Sequence, residues 1–436
     1  MFSAIFLIAF AFAEEEGNLD VGYRIALRPE LYTNPDYNPA TENDSLFQTQ
    51  QSIRLIVDSS WTNVKMRAAF QDVRHWGTEA TQAASTDALA GLFEGYFELG
   101  NEELFLRAGR QMVSMHSEFL FAKANWNPYG RAFDGLTLHY QKGKKLSANA
   151  RLLVWNTGST FQSTCEDDPE TLDLDECEGF EPESLNSYGD FVTIIDGEAK
   201  VSDAFIAQPF IVILDQNRTA TEIERDRLVY SPGLRLIGRP TKELSYELQG
   251  IYQTGRASAD VSHSAWSLAA QADYKSEKWG TMARYENNSG DGDATDDVDN
   301  NFEAFLGARH KFRGWADRIA GVNSQVITLG TNVRPIERVN VILNYHNLRL
   351  SNPNGLWYNF KLDVVGVPSA DNTDTNLGNE IDALVNYKAA KGVSFKFGHS
   401  VFIPDGAGAD IIAETMTTDD TQQPYHFSYL WIVAER

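Results

Sequence analysis

The sequence predicts an all-β fold, a transmembrane antiparallel β-barrel of about eighteen strands with short periplasmic turns and long extracellular loops. Three observations support this prediction. Apolar and polar residues alternate with a period of two along most of the 436-residue chain. Very short turns alternate with long polar segments. Beyond the N-terminus, no apolar run approaches the roughly 20 residues that a membrane-spanning helix needs. Each predicted strand therefore has one apolar and one polar face.

The chain begins with a short apolar segment, residues 1–13, which ends in the small-x-small pattern Ala11-Phe12-Ala13. A short apolar run followed by such a pattern is typical of a secretory signal peptide. No linker rich in Gly, Pro or Ser divides the remaining residues. We therefore expect residues 14–436 to form a single barrel domain in the bacterial outer membrane.

The composition fits a barrel with a polar interior. The mean hydropathy is −0.35 and aromatic residues make up 12% of the chain, as expected when only a thin outer band is apolar. The net charge of −24 argues against a nucleic-acid partner, because phosphate binding needs a basic surface. The sequence also lacks a nucleophile elbow, an HExxH motif and a phosphate-binding glycine loop, so we expect no enzymatic activity.

The clearest structural unit runs from Leu104 to Tyr140, where two alternating runs flank a loop rich in Asn, Pro, Gly and aromatic residues. Seven hairpins are predicted in the same way, between a first strand at 22–32 and a last strand at 425–434, whose residues Phe427, Tyr429, Trp431 and Val433 are predicted to face lipid. They pair 51–60 with 64–77, 88–99 with 104–115, 133–141 with 146–156, 228–238 with 244–255, 266–275 with 279–287, 326–334 with 339–350, and 380–387 with 393–402.

The region between Asp190 and Asp215 needs two further strands if the strand number is to reach eighteen. The dipeptide Asp196-Gly197 is a strong hairpin signal and predicts strands at 191–195 and 200–214. The alternative is a sixteen-stranded barrel in which this region is a loop.

Alternation also assigns the two faces of each strand. Tyr246 and Leu248 are predicted to face lipid, together with Leu244 and Tyr252, while Glu247 and the polar residues on its face point into the lumen. The basic residues assigned to the lumen are Arg24, Arg54, Lys65, Arg67 and Arg151. Arg107 and Arg110 lie near a strand end, where a bulge could turn either one inward. The acidic ones are Glu94, Glu98, Glu247, Asp273, Glu286, Glu380 and Asp382.

Two readings of these lumen charges remain open. Charged rings in a lumen set ion preference. Alternatively, facing arginines and glutamates pair across the lumen and only make the wall rigid.

Two loops carry much of the acidic excess. Residues 159–190 hold eleven Asp and Glu and no Lys or Arg, together with both cysteines, Cys165 and Cys177. In an oxidising compartment we expect these to form a disulfide rather than remain free thiols. Residues 289–301 hold five aspartates. The weak candidates for a Ca²⁺ site are Asp291, Asp293, Asp296 and Asp297; a solvated acidic loop is the alternative, because the Gly and Glu of a calcium loop are missing.

Several segments in order along the chain resemble the alginate-export family of outer-membrane porins. The segments are YRIALRPELYTN (23–34), QDVRHWG (71–77), LRAGRQ (106–111), WNPYGRAFDG (126–135), YSPGLRLIG (230–238), YELQGIYQTG (246–255), NSGD (288–291), HKFRGWAD (310–317) and LGNEIDALVNYK (377–388).

This resemblance implies a monomeric eighteen-stranded barrel whose lumen is narrowed by arginines and in-folded loops. It implies passive diffusion or export of an anionic, alginate-like polysaccharide or of small anionic or sugar solutes. The alternative is a loop-plugged barrel that serves as an adhesin or structural protein. The expected partners are the solute, outer-membrane lipid with lipopolysaccharide, and the barrel-assembly machinery. The predicted pore-lining residues are Arg24, Arg54, Lys65, Glu94, Glu98, Arg67, Arg107, Arg110, Arg131, Asp134 and Arg235.

Overall fold

The computed structural model of the chain describes residues 17–35, 45–76, 89–154, 190–218, 225–293, 295–369, 371–416 and 423–436. Two predictions fall outside these residues. They are the signal peptide and the disulfide between Cys165 and Cys177.

Eighteen antiparallel strands of the described chain form a closed barrel, as predicted. The closure is made by the first strand, which pairs with both the second and the last. The strands are β1 Asn18–Thr33, β2 Ser45–Ser60, β3 Val64–Trp76, β4 Leu89–Gly100, β5 Leu104–Gln111, β6 Phe133–Lys142, β7 Leu146–Val154, β8 Asp190–Ser202, β9 Phe205–Arg218, β10 Arg225–Gly238, β11 Leu244–Arg256, β12 Ser262–Lys275, β13 Trp279–Asn288, β14 Ser324–Ile336, β15 Val339–Arg349, β16 Asn376–Ala390, β17 Val393–Pro404 and β18 Tyr425–Glu435.

The short turns, the start of β1 and the end of β18 lie at one rim of the barrel, and the long loops that the structure describes lie at the other. The loop 289–323 contains the short helix α1, Arg309–Arg313, and the loop after β17 contains α2, Ala407–Met416. The loop 350–375 holds a two-stranded pairing of Trp357–Tyr358 with Val364–Gly366. Within the described residues, no helix has the length and apolar character needed to cross a membrane.

The outer face of the barrel is apolar, as strand alternation predicted. On β11, Leu248 is 47% exposed, whereas Gln253 on the opposite face is fully buried. Aromatic side chains lie towards both ends of the outward rows, as Trp266 and Tyr274 do on β12. This arrangement matches an apolar band between two aromatic girdles.

Two loops fold into the lumen and meet there. Phe121 of the loop 112–132 forms a parallel bridge with Leu306 of the loop 289–323. The Ala122 amide donates to the Leu306 carbonyl at 3.1 Å, and the Leu306 amide donates to the Leu120 carbonyl at 2.9 Å. Both loops bury apolar side chains against the inner wall of β7 to β12, where Ile194 is fully buried. The lumen is therefore partly filled by protein.

The structure corrects three strand predictions. Asp196-Gly197 was predicted to be a hairpin turn, but it lies inside β8 and the chain turns at 203–204. The strand continues because Asp196 keeps to the alternation and pairs with Arg151 on the lumen side. β5 ends at Gln111 rather than at 115, since the chain there turns into the lumen. On β18 one face carries Phe427, Tyr429, Trp431 and Val433 and was predicted to contact lipid. In the structure this face points into the lumen and is buried against the loops.

Candidate pore lining

The lumen wall of β1 to β5 carries six cations. Five of them, which we call the basic strip, are Arg24, Arg54, Lys65, Arg67 and Arg107, and the sixth, Arg28 of β1, is paired with Glu30. All five lie on inward-facing positions of their strands, in agreement with the sequence prediction. Strand pairing brings them together, since Arg24 lies opposite Arg54 in the register of β1 and β2.

At the end of the basic strip nearest the short turns, two cations share one carboxylate. Glu98 of β4 accepts hydrogen bonds from Arg107 at 2.7 Å and lies 3.3 Å from the Lys65 ammonium. The Lys65 side chain is 52% exposed, whereas that of Glu98 is only 7% exposed. The carboxylate therefore lies behind the two cations, and the group presents net positive charge to the lumen.

Arg54 is placed by the in-folded loop rather than by a carboxylate. Its Nε donates to the Gln71 side chain, and its guanidinium lies 3.8 Å from the Phe93 ring centroid. Gly130 of the loop 112–132 lies so close that an added Cβ would meet Arg54 Nη2 at 2.3 Å. Within the described residues, Arg54 has no carboxylate within 4.0 Å, so its charge is not neutralised by an ion pair.

Other lumen charges are paired. Arg67 contacts Asp58 at 2.7 Å and Glu94 at 3.6 Å, and Arg24 lies 3.6 Å from Glu435. On the opposite wall, Arg151 pairs with Asp196 and Arg235 pairs with Glu247 at 2.5 Å. Each of the two alternatives for the lumen charges therefore describes part of the wall. Most arginines pair with carboxylates and make the wall rigid, whereas the basic strip keeps excess positive charge that can set ion preference.

Arg131 contacts the in-folded loops instead of open lumen. Its Nη1 donates to the Leu306 carbonyl at 2.6 Å and reaches the Ala122 carbonyl at 3.5 Å. Burial, with Arg309 nearby, lowers the pKa of Arg131 to about 10. The side chain remains charged at neutral pH and holds the two loops together.

Arg110 and Asp134 lie on the outer face, contrary to the expectation that they line the constriction. Their rows also contain Leu106 and Leu136, which are 41% and 45% exposed on the lipid side. The two strands pair Arg110 with Asp134 in register, and their side chains form an ion pair at 3.0 Å. No bulge turns the Arg110 side chain inward, since the register of β4 with β5 is regular.

An aromatic cluster in the lumen was missed by the sequence analysis. Trp126 of the loop 112–132 packs edge-on against Trp315, Tyr429 and Trp431 at centroid distances of 4.8, 4.8 and 5.4 Å. The Arg28 guanidinium lies 3.7 Å from the Trp126 ring centroid. The segment WNPYG (126–130) predicts a loop but does not show where the loop packs. Its packing site is known only once the aromatic face of β18 is seen to point inward.

The loop 289–323 is fixed to the wall by buried polar contacts. Glu286 of β13 accepts a hydrogen bond from Arg313 of α1 at 2.6 Å and one from Arg284 at 3.0 Å. The Ala316 amide donates to the Glu380 carboxylate at 2.8 Å. Burial lowers the pKa of Arg313. The inward-facing acids of β13 and β16 therefore anchor a loop rather than line an open passage.

The aspartates proposed for Ca²⁺ lie beside an open pocket at the extracellular side. Asp291, Asp293 and Asp296 border it together with Asn300 and Asn352. Within the described chain, no three His, Cys, Asp or Glu side chains converge as metal ligands would. Hydrogen bonds from Thr295 hold the pKa of Asp293 below its usual value. A calcium site here stays a prediction.

The fold matches those of solved outer-membrane porins. OccK5 (OpdH) of Pseudomonas aeruginosa aligns with a TM-score of 0.61 over 95% of this chain and 98% of its own, at 12% identity. A BenF-like porin from Pseudomonas fluorescens Pf-5 gives 0.62 over 96% and 98% at 11% identity. OprD of Pseudomonas aeruginosa gives 0.57 over 97% and 97% at 11% identity. At these identities the likeness shows the fold alone, that of an outer-membrane porin barrel.

The sequence gives the family. A family model described as alginate export matches residues 181–418. Because this match covers more than half of the chain, the protein belongs to the alginate export family. No match was found among curated protein sequences.

Proposed function

We propose that this outer-membrane channel conducts small anionic solutes, acidic saccharides among them, through a lumen narrowed by its own loops, and that it catalyses no reaction. The observation that carries the proposal is the Lys65–Glu98–Arg107 group, in which two cations share one buried carboxylate. Arginine forks match carboxylates and stay charged at any working pH. An anion that passes the basic strip therefore meets more positive than negative charge.

The acidic loop 289–301 opposes this preference at the extracellular mouth. Exposed charges are screened within about 10 Å at 0.1 M salt and about 3 Å at 1 M, whereas charges in a narrow, partly buried passage are screened less. We therefore expect anion preference to be weakest at low salt, where this loop concentrates cations, and clearest at high salt.

Reversal potentials across a salt gradient in planar bilayers test the proposal. Wild-type protein should prefer anions at high salt, and Lys65→Gln with Arg107→Gln should reduce that preference or reverse it. Lys242→Gln with Lys278→Gln is the matched control, since it removes the same charge from exposed turn residues outside the lumen. A cation preference at every salt concentration, unchanged by the lumen substitutions, would show that the proposed solute class is wrong.

A second candidate function is supported by the bridge between the two in-folded loops. Phe121 and Leu306 join the loops inside the lumen, which favours a barrel closed by its loops and used as a surface scaffold or adhesin. The same recordings separate the two functions. A correctly folded barrel that never conducts would favour the scaffold.

A further inference from the structure

Four arginines lie in the outward-facing rows of the described strands, and each is within two residues of the extracellular end of its strand. They are Arg74 on β3, Arg110 on β5, Arg256 on β11 and Arg349 on β15. Each shares its row with an exposed apolar or aromatic side chain, namely Trp76, Leu106, Tyr252 and Tyr345. These four side chains, the rim arginines, are spread around the barrel on the side that faces the surrounding lipid.

Two of the rim arginines sit beyond the outer aromatic girdle. Arg256 follows Tyr252 by four residues on β11, and Arg349 follows Tyr345 by four residues on β15. An outward-facing arginine costs about 2–4 kcal/mol at the bilayer midplane and about 0–1 kcal/mol near the interface. Their positions at the strand ends therefore place the guanidinium groups at the level of the lipid headgroups.

Three rim arginines are oriented by a neighbouring carboxylate, since Arg74 Nη2 also donates to Asp72 at 2.8 Å, and two of the three, Arg110 and Arg256, keep free donors. Arg110 Nη1 donates to Asp134 at 3.0 Å, and Arg256 Nη2 donates to Asp226 at 2.6 Å. Each guanidinium has five N–H donors. Among the described residues, the remaining N–H groups of Arg110 and Arg256 meet no acceptor, and the two side chains are 34% and 48% exposed. These donors are available to an anion in the headgroup layer.

We propose that the rim arginines bind phosphate groups of a phosphorylated glycolipid in the outer leaflet, the lipid A part of lipopolysaccharide. A guanidinium fork matches the oxygens of a phosphate, and such charge-assisted pairs are stronger than neutral hydrogen bonds. The paired aspartates hold the forks in place. The acyl chains of the same lipid then lie along the apolar rows below, such as Leu106 and Leu136.

Binding of fluorescent diphosphoryl lipid A to the purified barrel in non-ionic micelles tests this proposal, with dephosphorylated lipid of the same acyl chains as the comparison. Wild-type protein should bind the diphosphoryl lipid about tenfold or more tightly than the dephosphorylated one. Arg110→Gln with Arg256→Gln should lose about tenfold or more in affinity. The Lys242→Gln, Lys278→Gln protein serves again as the control, because it removes equal charge at the opposite rim.

Each outcome decides the proposal. Equal affinity for the two lipids, or equal losses in variant and control, would overturn it. Displacement of the lipid by inorganic phosphate at concentrations as low as those of the lipid would also overturn it, since the site would then take a free anion. Arg110→Lys with Arg256→Lys should bind with intermediate affinity, because it keeps the charge but loses the fork. Heat-modifiable gel migration and unchanged single-channel conductance show that each variant is folded.

Discussion

Truncation of Trp126 should release the in-folded loop 112–132 from the wall of the lumen. The half-buried indole loses about 100 Å² of apolar contact, or about 2.5 kcal/mol at 25 cal/mol per Å². Loss of the interaction between Arg28 and the ring, at 3.7 Å, adds about 0.5–1 kcal/mol. Because each 1.4 kcal/mol is a factor of ten, these losses of about 3–3.5 kcal/mol together should raise the population of the released loop in Trp126→Ala about a hundredfold or more.

Limited trypsin digestion at Lys123, an exposed residue of the same loop, measures this population. When reclosure is faster than cleavage, the cleavage rate follows the fraction of released loop. The rate should therefore rise about a hundredfold or more in Trp126→Ala and far less in Trp126→Phe, which keeps a ring. Trp76→Ala is the control, because Trp76 lies on the outer face and is 51% exposed. Equal rates in Trp126→Ala and Trp76→Ala would refute the reasoning.

Three further predictions concern the loops. Burial against the Phe210 ring lowers the pKa of His116 and outweighs the nearby Asp196 charge, which raises it, so the docked loop holds the imidazole neutral. The neutral His116 ring stabilises the docked loop above the ordinary histidine pKa of 6.5, and this stabilisation is lost as pH falls below it. Current flicker should therefore rise between pH 7.5 and pH 5 in wild type but not in His116→Phe. Gly130→Ala should weaken anion preference, because the added methyl group displaces the Arg54 guanidinium. Gly143→Ala, also at positive φ but with open space around the added methyl group, should leave the preference unchanged. Equal effects of the two substitutions would exclude a clash with Arg54 as the cause. Arg313→Ala should weaken the anchoring of the loop 289–323 by about 3–5 kcal/mol, because the buried Glu286 carboxylate loses one of its two arginine partners. The loop should then be cleaved faster by protease. An unchanged cleavage rate would contradict a structural role for Arg313.

The sequence predicted the barrel because alternation is a local property of each strand. Register then follows from short turns, so inward positions on β1 to β5 could be assigned correctly from the residues alone. Alternation fails where both faces are apolar. On β18 the aromatic row was assigned to lipid, yet Tyr429 and Trp431 are buried under Trp126, a contact between residues about 300 positions apart in the chain.

The pore-lining set was predicted only in part for a related reason. Strand parity places Arg24 and Lys65 in the lumen, but Arg110 needed a bulge to turn inward and the register has none. Arg131 lies in a loop, where no parity rule applies, and its partner Leu306 belongs to another loop. Val192 and Ile194 are apolar although they face the lumen, because the in-folded loops cover them. Strand alternation alone could not predict this burial.

Single-channel recording of the wild-type protein in a planar bilayer tests the central claim most directly. If the bridged loops narrow the lumen without closing it, the folded barrel should give discrete, ohmic current steps that are smaller than those of an unobstructed barrel of eighteen strands. Protein that migrates as a heat-modifiable barrel and inserts into the bilayer, yet gives no steps, would contradict the account.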